Sequence, residues 1–267
     1  MIMANDFIIV LPTHSKYSKI TANFLKLLRK NWSDCQFEIV VSMTGEDIKI
    51  EGVKNIYNGK NASLIKCLVD ASKEYKSKYY ISFLGDAFIS KKINNSSVMN
   101  LLNTIDNSNI DYCSLKYVKG YTKEKKCNQY FRYINALDRY SHNFTAFVVS
   151  YDYINEEFLK FKDDLDFEEY YLKKKTNKYY DKHLIVRKNY FRLLPGIIKG
   201  EWDAINYKRL KKDNPEINFD NRPVLSFKES AIRHIRNNVV ARIPANARIG
   251  IKKFTEKAFG FKFGVDG

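Results

Sequence analysis

Runs of apolar residues alternate with stripes at helical spacing through the first 115 residues. Phe7-Ile8-Ile9-Val10-Leu11 is fully apolar and predicts a buried strand, closed by the turn chemistry of Pro12-Thr13-His14-Ser15. Ile20, Phe24, Leu27, Leu28 and Trp32 then recur at i, i+4, i+7 and i+8, the stripe of a core-facing helix. Phe37 to Ser42 predicts a second strand, and Val53 with Ile56 a short third one. Tyr57-Asn58-Gly59-Lys60-Asn61 carries turn chemistry, after which Leu64, Ile65, Leu68, Val69 and Ser72 share one helix face. That helix leads into Tyr79-Tyr80-Ile81-Ser82-Phe83-Leu84, an aromatic and apolar run broken by Gly85-Asp86 and resumed by Ala87-Phe88-Ile89.

This last run predicts the central strand. Gly85 marks the bend at its end, so Asp86 falls at the carboxyl end of the strand, on the rim where ligands bind in open α/β sheets. Spacing alone leaves a second reading equally open, that Asp86 only caps the turn. Val98, Leu101, Leu102 and Ile105 predict another helix, and Asp111 to Leu115 another strand. The alternation predicts an α/β fold with a mostly parallel sheet and helices on both faces.

The later chain is less regular. Residues 116–139 are polar, basic and rich in tyrosine and read as a loop or insertion. Phe144 to Ser150 is strand-like, and Tyr153 to Lys162 is helical in pattern. Residues 163–175 run from acids into lysines, with Phe167, Tyr170 and Tyr171 interleaved. His183 to Arg187 and Phe191 to Ile198 predict late strands, and the charged, proline-bounded residues 208–222 read as a linker. Residues 1–222 are thus expected to form a catalytic domain and residues 223–267 a basic amphipathic tail. Ser226-Phe227-Lys228-Glu229 has the form of a capping box at its start. Nine Lys or Arg stand against three acids in that tail, enough to hold it at an anionic bilayer surface. Packing on the domain or against another subunit is the competing reading, so homo-oligomerisation stays open.

Over the whole chain the formal charge is +16 and 45% of residues are hydrophobic, which permits a large core and favours anionic partners. The four cysteines show no metal spacing and read as reduced thiols in a cytosol. No signal peptide or membrane span is expected, which makes the expected location cytoplasmic, with contact at the inner membrane face through the tail. Phosphate loops of the G-x-x-x-x-G-K-S/T type, G-x-G-x-x-G, H-E-x-x-H and G-x-S-x-G are all absent. What remains is a set of residues at strand and helix ends: Pro12, Thr13 and His14 after the first strand, Ser42 after the second, Asn61 before the middle helix, and Asp86. Main-chain amides and helix N-termini there suit a nucleotide or diphosphate.

In order and spacing these residues resemble glycosyltransferases of the GT-A fold, the bacterial type that builds surface and capsular polysaccharides. The matching stretches are Leu84-Gly85-Asp86-Ala87-Phe88-Ile89 for an acidic D-D or D-x-D element, Leu165-Asp166-Phe167-Glu168 for a W-x-F-E-like element, and Lys199-Gly200-Glu201-Trp202 for a G-x-W-like close. The resemblance covers residues 6–202. It implies a nucleotide-sugar donor, with UDP-sugars the first candidates, and a surface-glycan or lipid-linked acceptor. It also implies a Mn or Mg ion held by Asp86 against the diphosphate, and Glu168 as the base in an inverting transfer. Glu169 is the rival base. Gly85 stands where the family commonly has a second acid, so Lys60, Arg187 or Lys199 are candidates to carry the diphosphate charge without a metal. Trp202 reads as a packing residue or a sugar platform. The competing classes are a basic nucleic-acid-binding protein, disfavoured by the enzyme-like core, and a transferase relative without catalysis.

Overall fold

A computed structural model describes residues 6–117, 125–138, 141–174, 176 and 178–240, the side chains of 236–240 excepted. In chain order the elements are β1 (Phe7–His14), α1 (Ser18–Asn31), β2 (Glu38–Thr44), β3 (Lys54–Tyr57), α2 (Leu64–Glu74), β4 (Tyr79–Phe83), β5 (Ala87–Ile89), α3 (Asn95–Asn107) and β6 (Tyr112–Ser114). Then come β7 (Phe131–Asn135), β8 (Ala146–Ser150), α4 (Tyr151–Glu156), α5 (Asp164–Leu172), β9 (Tyr179–Val186) and β10 (Leu193–Pro195). The last are β11 (Ile197–Ile198), β12 (Glu201–Trp202), α6 (Ala204–Asp213) and α7 (Phe227–Val240).

Eight strands form one sheet in the order β3-β2-β1-β4-β8-β6-β9-β7. The β3-β2, β2-β1, β1-β4 and β6-β9 pairs are parallel, and the other three are antiparallel. The fold is therefore α/β with a mostly parallel sheet, as the pattern predicts. The half built by the first 83 residues is wholly parallel; β7 and β8 run against their neighbours in the other half.

Both faces of the sheet are buried, which is why its strands read as unbroken apolar runs. Alternate residues divide between two cores. Phe7, Ile9, Leu11, Ile81 and Phe83 join α1 and α3 on one face, whereas Ile8, Val10, Tyr80, Phe147 and Val149 join α2, α4 and α5 on the other.

Two expectations fail. The stretch read as a loop at 116–139 contains β7, an edge strand in which Phe131 and Ile134 are buried and Arg132 pairs with Asp138 at 2.8 Å. Its composition hid it, because Arg132 and Asn135 are buried among Phe131 and Ile134 with no regular alternation. Residues 208–222 are not a linker either: they complete α6, and Leu210, Ile217 and Phe219 are core residues. The capping box is present. Glu229 N donates to Ser226 Oγ at 3.2 Å and Ser226 N donates to Glu229 Oε2 at 3.1 Å, opening α7. The basic residues of the tail from 241 onward lie outside the described residues. No described helix is long and apolar enough to cross a membrane.

Candidate active site

The site is set by where β1, β2 and β4 stop. A cleft of about 1050 Å³ opens at their carboxyl ends, and Pro12, Thr13, His14, Asn61 and Asp86 all line it. His14 is the last residue of β1; its Nδ1 accepts from Lys16 N at 3.2 Å and closes the turn into α1. Gly45 must stay glycine behind it, since a Cβ there would come within 2.7 Å of the His14 ring at a φ of +94°.

Ser63 caps α2, accepting from Lys66 N at 3.2 Å, and the N-terminal residues Asn61 to Leu64 face the cleft. The free N–H groups and the dipole of that 11-residue helix favour an anion. Across the cleft stand Asp163, Asp164 and Leu165 at the start of α5, where Asp163 accepts from Asp166 N at 2.8 Å. Leu165, where the resemblance expects Trp, is 62% exposed on the cleft rim.

Ser42 is not brought to the cleft. It is fully buried, donating to Cys67 O at 2.7 Å and accepting from Asn58 Nδ2 at 2.9 Å, so its hydroxyl ties α2 to β2.

Asp86 follows β4, the fourth strand of eight, and its backbone is fixed from both sides. Ala87 N donates to Leu84 O at 3.1 Å, and Gly196 N donates to Asp86 O at 2.8 Å. Burial pushes its carboxyl up to about 6, opposed by its own N–H and by the charge of Lys116. The place of a second acid is tight: a Cβ at Gly85 would meet Thr21 Oγ1 at 3.1 Å and Thr21 Cα at 3.2 Å, so α1 would have to give by a few tenths of an ångström.

Glu168 and its rival are separated. Glu168 Oε1 accepts from Phe144 N at 2.8 Å, and burial raises its pKa against the pull of that N–H and of Lys116. Glu169 sits in a surface ion pair with Lys173 at 2.9 Å. Glu168 is held by its helix over an aromatic cluster in which the His142 ring stacks on Tyr171 at 3.6 Å. His142 is itself buried, its Nε2 lying 2.9 Å from His183 Nδ1. Burial holds both imidazoles in the neutral form, with His183 lowered to about 4 and His142 also lowered well below the ordinary value.

Lys116 is the residue that motif reading missed. Its ammonium acts on both Asp86 and Glu168, and desolvation lowers its pKa. The signal was available: Lys116 follows an apolar strand in the same way that Asp86 does. Of the cations considered from the sequence, Lys60 is exposed in a turn, Lys199 sits in the β11-β12 turn at a φ of +51°, and Arg187 donates to Asn128 O at 3.3 Å. None of the three lines the cleft, and neither do Lys116 and Glu168. Trp202 is fully buried, stacked on Phe88 at 5.7 Å, and donates to Asp220 Oδ1 at 3.0 Å; it packs the core.

No cluster of three His, Cys, Asp or Glu side chains able to hold a metal occurs among the described residues, so a divalent ion at Asp86 would have to take most of its ligands from a bound diphosphate.

No protein-family model matches the chain, and no curated protein matches it. Among solved structures it is similar to a cytidylyltransferase from Leptospira borgpetersenii, at 14% identity over 88% of this chain and 96% of that one, with a TM-score of 0.48. It is also similar to S. aureus TarS, at 15% identity over 91% of this chain and 46% of that one, with a TM-score of 0.46. For the TarS segment 1–349 the values are 14%, 93%, 78% and 0.47. The chain spans about half the length of full TarS.

Proposed function

We propose that the chain is a nucleotide-sugar-dependent glycosyltransferase acting on a hydroxyl of a surface-polysaccharide or lipid-linked glycan. The observation that carries this reading is the cleft at the carboxyl ends of β1 and β4, with a carboxylate in its wall and the N-terminus of α2 facing it. A nucleoside diphosphate suits the helix terminus, and UDP-sugars are the first donors to try.

In the proposed reaction the acceptor oxygen attacks the anomeric carbon from the face opposite the diphosphate. The bond from that carbon to the phosphate oxygen breaks, and its electron pair leaves with the nucleoside diphosphate. Glu168 takes the acceptor proton through the carboxylate oxygen not engaged by Phe144 N, giving inversion. Asp86 orients the donor in the cleft. A helix-buried carboxylate with a raised pKa suits a base better than the paired surface acid Glu169.

The test is transfer from radiolabelled nucleotide sugars to a glycan acceptor by wild type, Asp86→Ala and Glu168→Gln. Both variants are expected to lose about 10²-fold or more while keeping a native circular dichroism spectrum. Unchanged turnover in either one rejects that residue's role. Release of pyrophosphate when a nucleoside triphosphate and a sugar 1-phosphate are supplied in place of the nucleotide sugar would replace glycosyl transfer with nucleotidyl transfer.

A further inference from the structure

The turn from β1 into α1 supplies three residues of the cleft lining, His14, Lys16 and Tyr17. On one side it is backed by Gly45, whose missing Cβ leaves room for the His14 ring and Ser15 Oγ. It is also held by Arg222, 206 positions after Lys16 in the chain. The Arg222 guanidinium donates through Nη2 to Lys16 O and lies over the Tyr17 ring, 4.5 Å from its centre. Its Nε donates to Asp220 Oδ2 at 2.7 Å, and the other oxygen of that carboxylate accepts from the buried Trp202 Nε1 at 3.0 Å. The Asp220 side chain is only 9% exposed, so this ion pair is largely shielded from water. The main chain is stitched to the same tryptophan: Trp202 N donates to Pro223 O at 2.8 Å, and Leu225 N donates to Trp202 O at 2.9 Å. A fixed segment thus reaches the lip of the cleft through one side chain.

A plain tie between distant segments looks different here. Lys30, near the end of α1, donates to Asn214 Oδ1 at 2.8 Å and to Glu216 Oε1 at 2.7 Å, and none of these three residues lines the cleft. Arg222 instead engages two residues that do line it. We infer that Arg222 is a positioning residue of the cleft, fixing Lys16 and Tyr17 in the directions that a nucleoside diphosphate donor meets. This rests on the nucleotide-sugar reading above. A planar guanidinium can bond an acid and a carbonyl while covering a ring face, which a lysine ammonium does poorly. Without it the Lys16–Tyr17 lip gains freedom that a ligand must remove again, and binding weakens.

The experiment is titration calorimetry of the full chain with UDP, GDP, ADP and CDP in MnCl₂, for wild type, Arg222→Gln, Tyr17→Leu, the double variant and Lys30→Gln. Wild type is expected to bind at least one of the four. Arg222→Gln and Tyr17→Leu should each weaken that binding about tenfold, whereas adding Arg222→Gln to Tyr17→Leu should cost no more than about threefold. Lys30→Gln should stay within about twofold of wild type. Arg222→Gln binding equal to wild type, losses that multiply in full in the double variant, or a loss in Lys30→Gln as large as that in Arg222→Gln overturns the positioning role and leaves the cleft reading standing. Failure of all four nucleotides on wild type removes the cleft reading and this inference together. If Arg222→Gln loses its native circular dichroism spectrum, Asp220→Asn takes its place, because it keeps an oxygen for Trp202 Nε1 and removes the acceptor of Arg222 Nε. That variant should weaken binding about fivefold or more, and binding equal to wild type overturns the role.

Discussion

Replacing Asp86 by Asn should make the protein more stable while removing its activity. Asp86 carries its charge in a place that disfavours charge: burial raises the carboxyl from 3.8 to about 6, even with Lys116 and a main-chain N–H helping. Each pKa unit is worth about 1.4 kcal/mol, so ionising Asp86 in the folded state costs up to about 3 kcal/mol at neutral pH. Asn keeps the shape and drops the charge, and a gain of about 1–3 kcal/mol is expected at pH 7.5. The sign follows from the raised value. The folded state holds the proton more tightly than the unfolded chain, so the group favours folding below 3.8. That advantage is lost as pH rises through about 6. The gain of Asp86→Asn over wild type should therefore be full above pH 6 and shrink steadily toward pH 4. Urea unfolding at pH 7.5, 6.0 and 4.5 measures it directly. A variant less stable than wild type at pH 7.5, or a difference that does not change with pH, would refute the reasoning and make Asp86 a turn cap.

Other outcomes follow from the same geometry. His142 and His183 are buried neutral, so the unfolded chain takes up protons first as pH falls below 6.5; stability should drop between about 6.5 and 4, by about 3 kcal/mol for His183 alone. Melting curves across that range check this, and His183→Gln should flatten the slope. Gly85→Asp should destabilise by about 1–3 kcal/mol, because its Cβ presses on Thr21 at 3.1–3.2 Å; a melting temperature equal to wild type would show that α1 yields freely. Glu169→Gln should leave transfer rates within about twofold, since it only breaks a surface pair with Lys173, whereas Glu168→Gln should not.

Much of the parallel half of the fold is legible in the sequence, because strands buried on both faces must be apolar throughout. Phe7 to Leu11 and Tyr79 to Phe83 are such strands, and the turn after each of them lies on the cleft. The elements that escaped were those whose burial is one-sided or polar. β7 carries the buried polar residues Arg132 and Asn135, and α6 presents lysines and buries only Asn206 and Leu210. Ser42 misled because a strand-end hydroxyl can serve a neighbouring helix as readily as a ligand, here Cys67 O. Lys116 escaped because it opens the tyrosine-rich stretch, and its meaning lies in two acids that are 30 and 52 positions away in the chain.

Sugar transfer by this chain requires the cleft beside Asp86 to accept an activated sugar. Titration of the full chain with UDP-sugars and their GDP, ADP and CDP counterparts tests that most directly. Saturable binding of one of them, weakened in Asp86→Ala and displaced by the free nucleoside diphosphate, is the predicted result. No binding by any of them, with salt-sensitive retention on RNA or DNA instead, would contradict it.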